Sequence, residues 1–370
     1  MAAKSANQKL LESALEDALD LSRLTTTERE KVYSFLKKLV TKLKGKLAEL
    51  PDLAQLTESK RKKTLKKFIK EADAEIAAQF KEYGDGFVGV LSDLAVYEAA
   101  ADVTSISASV GVDIAHSLNL SAAQLQTLVS EAWIDGGTVQ EMLDGMEAGF
   151  VRDFKALVRE GYLSGETTDD IIRRLTGYKD KQGVVHEGLA AMKRSSAENM
   201  VRTAMSGIAN TARTELYKQN DDILKGMMWN ATLDLRTCLE CASRDGKAWD
   251  MSGKPIDGNT LPYRDIPLHR RCRCTWVPVL KSWQELDIDG VDEFDESTRA
   301  SMDGQVPGTV DFEEWFTAQS PERQEDILGK GRFELYKQKK ISFSDLVDQN
   351  GRGLTLKQIY AKKGIKAEKG

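Results

Sequence analysis

The chain has 370 residues, of which 41% are hydrophobic and 30% are charged, and its formal net charge is −5. This composition supports folded domains, and seven prolines are too few for a Pro-rich disordered protein. No apolar run is long enough for a transmembrane helix, and the N-terminal residues lack the apolar centre of a secretory signal. We therefore expect no stable membrane insertion, and two or three units at about 150 residues per domain.

Charge is distributed unevenly along the chain. Residues 1–70 contain 17 Lys and Arg against 9 Asp and Glu, so this part is basic while the remainder is acidic. A basic N-terminal part favours an anionic partner, although a solvated helix face would have the same composition. The densest run is the candidate nucleic-acid-binding segment. Its basic residues are Lys60, Arg61, Lys62, Lys63, Lys66, Lys67 and Lys70.

Residues 1–160 are predicted to be almost wholly helical. Apolar residues recur every three or four positions over 28–50 and again over 65–80, as on one face of a helix. Pro51 ends the first of these helices, because proline disfavours the helical conformation of the residue before it. Glycines 84 and 86 are expected to interrupt the second. Further helices are expected over 87–101, 122–133 and 138–159, with 102–120 ambiguous.

A short helix and a long helix are predicted next. Thr167 or Thr168, followed by two aspartates, has the composition of a helix start, and Gly177 marks the end. A long helix is predicted from Glu198 to Asn220.

The segment from Trp229 to Trp283 has a different composition. It contains four of the seven prolines, four of the six tryptophans and all four cysteines. This pattern is typical of loops and short strands. The acidic stretch 285–296 indicates a linker, and short helices are expected after it.

The four cysteines form two clusters with one of the three histidines. Cys238 and Cys241 form a C-x-x-C pair, and His269, Cys272 and Cys274 follow in the string PLHRRCRC. Two thiolates in one tight turn and a second N/S cluster are the ligands that structural Zn²⁺ prefers. The polar segment between the clusters buries little apolar surface, so a metal cross-link would stabilise it. These five residues compete for four ligand positions.

Two other interpretations of the cysteines remain open. They could form a pair of disulfides, which would require an oxidising compartment, or be four unrelated buried thiols. A catalytic zinc is disfavoured, because the H-x-E element of a deaminase and the H-E-x-x-H helix of a metalloprotease are both absent.

The strings WNATLDLRTCLECASRDGKAW and PLHRRCRCTWVPV resemble the signature of tailed-phage minor head proteins, the Mu F-like head morphogenesis family. Upstream, GETTDDIIRRLTG resembles a short helix of that family, and either Arg202-Thr203 or Arg213-Thr214 resembles its R-T element. The resemblance covers roughly residues 160–362. The matching motif positions are Asp234, Thr237, Cys238, Cys241, Asp245, Gly246, Pro267, His269, Cys272, Arg273 and Cys274.

The resemblance implies a structural virion component, assembled in the host cytoplasm and located at the portal vertex or in the head interior. Its expected partners are the portal protein, other head proteins and packaged DNA, and it would act in head morphogenesis or DNA delivery. No small-molecule substrate and no catalytic residue are implied, so no enzyme activity is expected. The family's cysteines and histidine resemble structural zinc ligands.

Two alternatives come from other classes of function. One is a zinc-stabilised intracellular adaptor that binds nucleic acid. The other is an ADP-ribosyltransferase-like enzyme, which needs a glutamate beside a nicotinamide pocket. The glutamates at 313–314 and the acids at 293–296 are explained more simply as helix caps and linker.

The predicted fold class is α+β and mostly helical. The predicted domains are a helical region over 1–160 for docking or DNA contact, a zinc-clasped Mu F-like module over 161–284, an acidic linker over 285–310 and a helical tail over 311–370.

Overall fold

A computed structural model describes residues 6–51, 55–110, 122–282 and 298–365. Helices account for 63% of the structure and small sheets are added to them, which confirms the predicted α+β, mostly helical fold class. Among the described residues, no helix is both long enough and apolar enough to cross a membrane.

The helices are α1 (Ala6–Ala48), α2 (Glu58–Val110), α3 (Ala122–Glu131), α4 (Val139–Leu163), α5 (Thr168–Thr176), α6 (Leu189–Gln219), α7 (Leu239–Ala242), α8 (Phe312–Thr317), α9 (Pro321–Leu328), α10 (Lys330–Lys337) and α11 (Leu356–Lys363). The strands are β1 (Gly177–Lys179), β2 (Val185–Glu187), β3 (Leu224–Asn230), β4 (Ala248–Trp249), β5 (Pro255–Ile256), β6 (Thr275–Leu280), β7 (Thr298–Ser301) and β8 (Gly304–Pro307).

Helix α2 continues through Gly84 and Gly86, so the predicted interruption is wrong. A Cβ atom at Gly84 would lie 3.3 Å from Cδ1 of Leu143 on α4, so glycine permits a close approach of the two helices there. A glycine in a helix interior costs about 1 kcal/mol relative to alanine, and burial along a helix of this length offsets that cost.

Two predicted segments lie partly outside the described residues. Residues 102–110 extend helix α2, whereas the rest of the ambiguous segment 102–120 is not described. The acidic stretch 285–296 also lies outside the described residues. The following residues, which the sequence places in the linker, form the antiparallel hairpin β7–β8.

The described residues fall into two compact units. The helical unit contains residues 21–51, 55–94 and 122–208, and the module unit contains 6–20, 95–110, 209–282 and 298–365. These divisions differ from the predicted domain boundaries, because the long helices α1, α2 and α6 each contribute residues to both units.

The helical unit is held together by aromatic contacts between its helices. Phe35 of α1 meets Phe80 of α2 edge to face, with ring centroids 5.0 Å apart. Phe80 also contacts Phe150 of α4 at 5.8 Å, and Phe68 contacts Phe154 at 6.1 Å. Phe80 belongs to the apolar stripe that the sequence shows over 65–80, where residues three and four apart share one face of a helix.

The module unit is built on a four-stranded antiparallel sheet with strand order β5-β4-β3-β6. Trp229 of β3, Trp249 of β4 and Trp276 of β6 are buried, and the ring of Trp276 contacts each of the other two edge to face. Helix α6 covers the edge strand β6, since the Asn210 side-chain oxygen accepts a hydrogen bond of 2.9 Å from the Trp276 backbone N–H. The edge strand thus gains a partner within the chain.

The C-terminal tail forms a second hydrophobic core in the module unit. Phe312, Phe316 and Phe343 lie at its centre, and Leu233 joins it from the loop after β3. The buried Arg244 donates to the backbone carbonyls of residues 350 and 351 at 2.7 and 3.1 Å. The tail is therefore packed directly behind α7, the helix that bears the C-x-x-C pair.

Candidate metal centre

Two loops bring the cysteine clusters together. The first loop leads into α7, where Cys238 is the N-cap and its sulfur accepts the backbone N–H of Cys241 at 3.4 Å. The second loop precedes β6, and the N–H of Cys272 donates to the carbonyl of His269 at 3.0 Å in a tight turn. The sheet pairs β3 with β6, so the loops at their ends lie side by side.

The five predicted ligands form two triplets that share Cys241. In the first, Nε2 of His269 lies 3.1 Å from the Cys238 sulfur and 3.3 Å from the Cys241 sulfur. In the second, the sulfurs of Cys241 and Cys272 are 3.8 Å apart, and Cys274 completes the group. Within each triplet the ligand atoms lie within 4.8 Å of one another, so each triplet could hold a metal ion.

The separation of the Cys241 and Cys272 sulfurs fits two corners of a tetrahedral metal site. With metal–sulfur bonds of about 2.3 Å, two thiolates on adjacent corners of a tetrahedron lie roughly 3.8 Å apart, as Cys241 and Cys272 do. All four cysteines are free thiols, so the disulfide interpretation is not supported. The donor set of sulfur and imidazole nitrogen is one that zinc prefers.

The imidazole of His269 is oriented for metal binding. Its Nδ1 lies 2.8 Å from the carbonyl oxygen of Arg270, which directs Nε2 toward the two sulfurs. A hydrogen bond on the second ring nitrogen is the usual way in which a protein orients a histidine ligand.

The thiols influence one another's ionisation. Its contact with Cys241 lowers the pKa of Cys238 to about 4 against the effect of burial, and His269 lowers this pKa further. The contact with Cys238 raises the pKa of His269 to about 9, against the effect of burial. Cys238 is therefore held as a thiolate, which is the form that binds metal.

A salt bridge joins the two cysteine loops directly. The guanidinium of Arg273, which lies between Cys272 and Cys274, donates to both carboxylate oxygens of Asp234 at 2.5 and 2.7 Å. Burial by itself would raise the pKa of Asp234, but the bonds and charge of Arg273 outweigh it and lower the pKa. Asp234 is one of the motif residues on which the family resemblance rests. In this structure it links the two cysteine loops by pairing with Arg273.

A second buried ion pair lies behind the cluster. Arg299 of β7 donates to the two oxygens of Asp245 at 2.8 and 3.0 Å, and also to the side chain of Asn230 at 2.7 Å. Asp245 additionally accepts the backbone N–H of Ala231 at 2.7 Å. The motif residue Asp245 is therefore structural, and Gly246 after it adopts a positive φ of 72°.

The buried contacts of three arginines in the module unit were not predicted from the sequence. Arg299 lies in the segment predicted as linker, and nothing in the local pattern marks it. Arg244, which holds the tail, is an ordinary charged residue in the sequence. Arg213 is wholly buried, and the sequence signal for it was the R-T element, which the pattern could not assign between Arg202 and Arg213.

The predicted nucleic-acid-binding residues lie elsewhere, in the helical unit. Six lysines between 60 and 70 are exposed on the first turns of α2. Arg61 is half-buried, stacks over the ring of Tyr162 at 5.6 Å and donates to the carbonyl of Leu56 at 3.2 Å. Arg61 therefore has a structural contact, whereas the lysines face solvent.

The fold and the site define a small α+β domain whose Cys/His cluster could hold a metal ion. Residues 152–277 match the family described as Phage Mu protein F like protein. This match confirms the predicted resemblance over residues 152–277, which contain all five candidate ligands, whereas residues 278–362, to which the predicted resemblance extended, lie outside it. The family is associated with phage heads. No curated protein and no solved structure matches the chain.

Proposed function

We propose that this protein is a minor head protein of a tailed phage, in which a zinc ion clasps the Mu F-like domain. It is a structural virion component located at the portal vertex or head interior and acts in head morphogenesis. Its partners are the portal protein and other head proteins. The observation that carries the proposal is the Cys/His cluster. It brings together motif residues from two loops that are far apart in the sequence and lie inside the matched segment.

The role of zinc follows from what surrounds the cluster. The segment between the two loops contains only two-residue strands, so it has little regular secondary structure of its own. Four protein ligands would close the coordination sphere, which is typical of a structural site rather than a catalytic one. The ligands come from Cys238, Cys241, His269, Cys272 and Cys274, with Cys241 common to both triplets.

A structural role is favoured over the ADP-ribosyltransferase alternative. Glu314, one of the two described glutamates weighed for catalysis, accepts the backbone N–H of Asp311 at 3.1 Å as part of a capping box. Glu313 lies beside it in the first turn of α8, where acids favour the positive end of the helix dipole. Both positions have a helix-capping explanation.

The exposed lysines of α2 support contact with packaged DNA as a further part of this function. Lys62, Lys63, Lys66 and Lys67 are exposed, and the only salt bridge among the described residues that involves these four joins Lys67 to Glu71 at 3.7 Å. Such lysines attract phosphate with little cost of breaking existing pairs.

The experiment is metal analysis of the purified full chain, combined with thiol titration and incorporation into heads. We expect about one zinc per chain and protected thiols. The Cys241→Ser variant should lose most of the metal, because it removes a ligand from either triplet, and should no longer enter heads. Ser252→Ala, on the loop between the clusters, is the matched control and should retain both properties.

The two parts of the proposal fail in different ways. A chain without metal and with four reactive thiols would overturn the zinc clasp. A zinc-loaded chain that is absent from assembled heads would overturn the minor head assignment while leaving the metal site intact.

A further inference from the structure

A buried ionic cluster lies in the module unit, where α1, α2 and α6 meet. Arg213 of α6 is completely buried and donates to the carboxylate of Glu98 and to the hydroxyl of Thr275. Its Nε lies 3.4 Å from Asp102 of α2, and its Nη2 lies 4.0 Å from Asp17 of α1. All three carboxylates are buried, so one guanidinium faces three acids away from water.

The cluster has more negative than positive groups. One oxygen each of Asp17, Glu98 and Asp102 is buried without a hydrogen-bond partner. Helix α6 adds the phenol Tyr217, and β6 adds only the hydroxyl of Thr275. Glu16 and Asp20 on α1 add further negative charge around Asp17. Arg213 is the only cationic side chain that pairs with these three carboxylates among the described residues.

Bound protons, rather than a metal ion, are the positive charge that can balance the excess carboxylates in this cluster. A metal ion needs several oxygens around one point, but the guanidinium occupies the centre of the cluster. Among the described residues, only the two Cys/His triplets have ligand atoms close enough together for a metal. A protonated carboxyl, in contrast, needs only one acceptor, and unpartnered carboxylate oxygens are present.

Burial has the corresponding effect on ionisation. It raises the pKa of Glu98 to about 7 and that of Asp102 to about 6, although the charge of Arg213 acts in the opposite direction. Burial also raises the pKa of Asp17. The neutral form of these carboxyls is thus more favoured in the folded than in the unfolded chain, because ionising them places poorly compensated charge in a low-dielectric interior.

We propose that the Arg213 cluster is a proton-responsive junction, which holds the module-unit segments of α1 and α2 firmly against α6 when protons are bound and loosens as the pH rises from about 5 to about 8. A proton bound at Glu98 or Asp102 reduces the excess negative charge, and the carboxylates that stay ionised still pair with Arg213. Loss of the proton leaves carboxylates that repel one another.

The direction of this pH dependence of stability distinguishes the Arg213 cluster from an ordinary salt bridge. A carboxyl whose pKa is higher in the folded state stabilises the fold below its unfolded pKa, and this contribution is lost as the pH rises through the folded pKa. For Glu98 that loss falls between about pH 5 and pH 8. A conventional ion pair would instead weaken on acidification.

The test is hydrogen exchange of the full-length, metal-loaded chain, read on peptides covering residues 95–110 and corrected for intrinsic rates. Between pH 8 and pH 6 we expect the opening equilibrium of this segment to decrease about tenfold, the size of one proton binding with a pKa near 7. The isosteric Glu98→Gln variant should remove most of this dependence and protect the segment at pH 8. The exposed Asp93→Asn substitution on the same helix is the control and should behave as the unmodified chain.

Two results would overturn the proposal. One is an opening equilibrium that increases on acidification from pH 8 to pH 6. The other is a pH dependence that survives in Glu98→Gln. If Glu98→Gln is poorly folded, Asp102→Asn provides the same comparison with an expected change of about twofold between pH 8 and pH 6, because the pKa of Asp102 is near 6. The metal site is identical in all variants, so its own titration cancels from these differences.

Discussion

At the scale of single residues, Asp234 links the two cysteine loops through its ion pair with Arg273. Its side chain is 15% exposed and that of Arg273 is 31% exposed, so the bidentate pair is partly shielded from water. Charge-assisted bonds of this kind are stronger than surface ion pairs.

We predict that Asp234→Asn lowers the free energy of unfolding by about 1–3 kcal/mol, because it leaves the Arg273 guanidinium without its counter-charge. Urea denaturation followed by tryptophan fluorescence measures this change. Arg236→Ala is the control, since its guanidinium is 79% exposed and 3.5 Å from Asp234, and it should cost less than about 0.5 kcal/mol. Equal effects of the two substitutions would contradict the role assigned to Asp234.

Single-residue substitutions can also identify which of the five candidate residues bind the metal. Cys241 belongs to both triplets, whereas His269 belongs to one and Cys274 to the other. Metal retained by Cys274→Ser but lost from an alanine variant of His269 would identify the histidine as a ligand.

At the scale of secondary-structure elements, a buried arginine links the β7–β8 hairpin to the loop after β3 and to the residues after α7. Arg299 is 4% exposed and satisfies Asp245, Asn230 and two backbone carbonyls. Its pairing with Asp245 spans 54 residues of sequence.

We predict that Arg299→Met lowers the free energy of unfolding by about 3–5 kcal/mol, because it leaves the charge of Asp245 buried and unpaired. Arg323→Ala is the control, since Arg323 of α9 pairs near the surface with Asp303 in the turn of the hairpin and should contribute at most about 1 kcal/mol. Thermal or urea unfolding of both variants measures the difference. A loss below about 1 kcal/mol in Arg299→Met would show that Asp245 is satisfied in another way.

The tail contains an acid-sensitive contact at Asp345. Burial alone would raise its pKa, but the ammonium of Lys363 at 2.7 Å and the N–H of Ser342 at 2.9 Å lower the pKa to about 2. A carboxyl with a lowered folded pKa stabilises the fold above its ordinary pKa of about 4 and loses this contribution as the pH falls toward 2.

We therefore predict that hydrogen-exchange protection of residues 340–363 falls between pH 4 and pH 2 and that Asp345→Asn flattens this fall. Asp326→Asn, an exposed acid on α9, is the control and should leave the slope unchanged. A slope that is the same in Asp345→Asn as in the unmodified chain would remove Asp345 as its cause.

At the scale of the whole molecule, charge is separated between the parts of the chain. The N-terminal 70 residues are basic although the chain as a whole has a net charge of −5. The basic side chains are concentrated on exposed positions of α1 and α2, where a long anionic partner can reach several of them at once.

We predict that replacing Lys62, Lys63, Lys66 and Lys67 with glutamine weakens binding to duplex DNA and reduces its salt dependence. If all four contact phosphates, the log–log slope against salt should become shallower by about 3–4, at roughly 0.9 per phosphate. Fluorescence anisotropy with a labelled duplex over a series of salt concentrations measures this. Lysines 337, 339 and 340, also exposed, form the control triple variant, and an equal effect of both sets would indicate non-specific charge attraction.

The sequence by itself determined the features that depend on local spacing. Apolar stripes predicted the long helices, Pro51 and Gly177 predicted helix ends, and the C-x-x-C and H-x-x-C spacings predicted the tight turns that present sulfur and nitrogen atoms. Residues three or four apart in a helix, or in one turn, are brought together by backbone geometry alone.

Only the tertiary structure decided the contacts between distant residues. Arg213 meets Glu98 across 115 positions, and Arg299 meets Asp245 from a segment that looked like a linker. Gly84 and Gly86 are helical in α2, and the approach of Leu143 of α4 to Gly84 could not be read from the sequence. Whether a charged side chain is buried depends on the residues packed around it, and these are known only from the tertiary structure. An arginine exposed to water has little free-energy penalty, whereas an arginine buried without a partner has a large one.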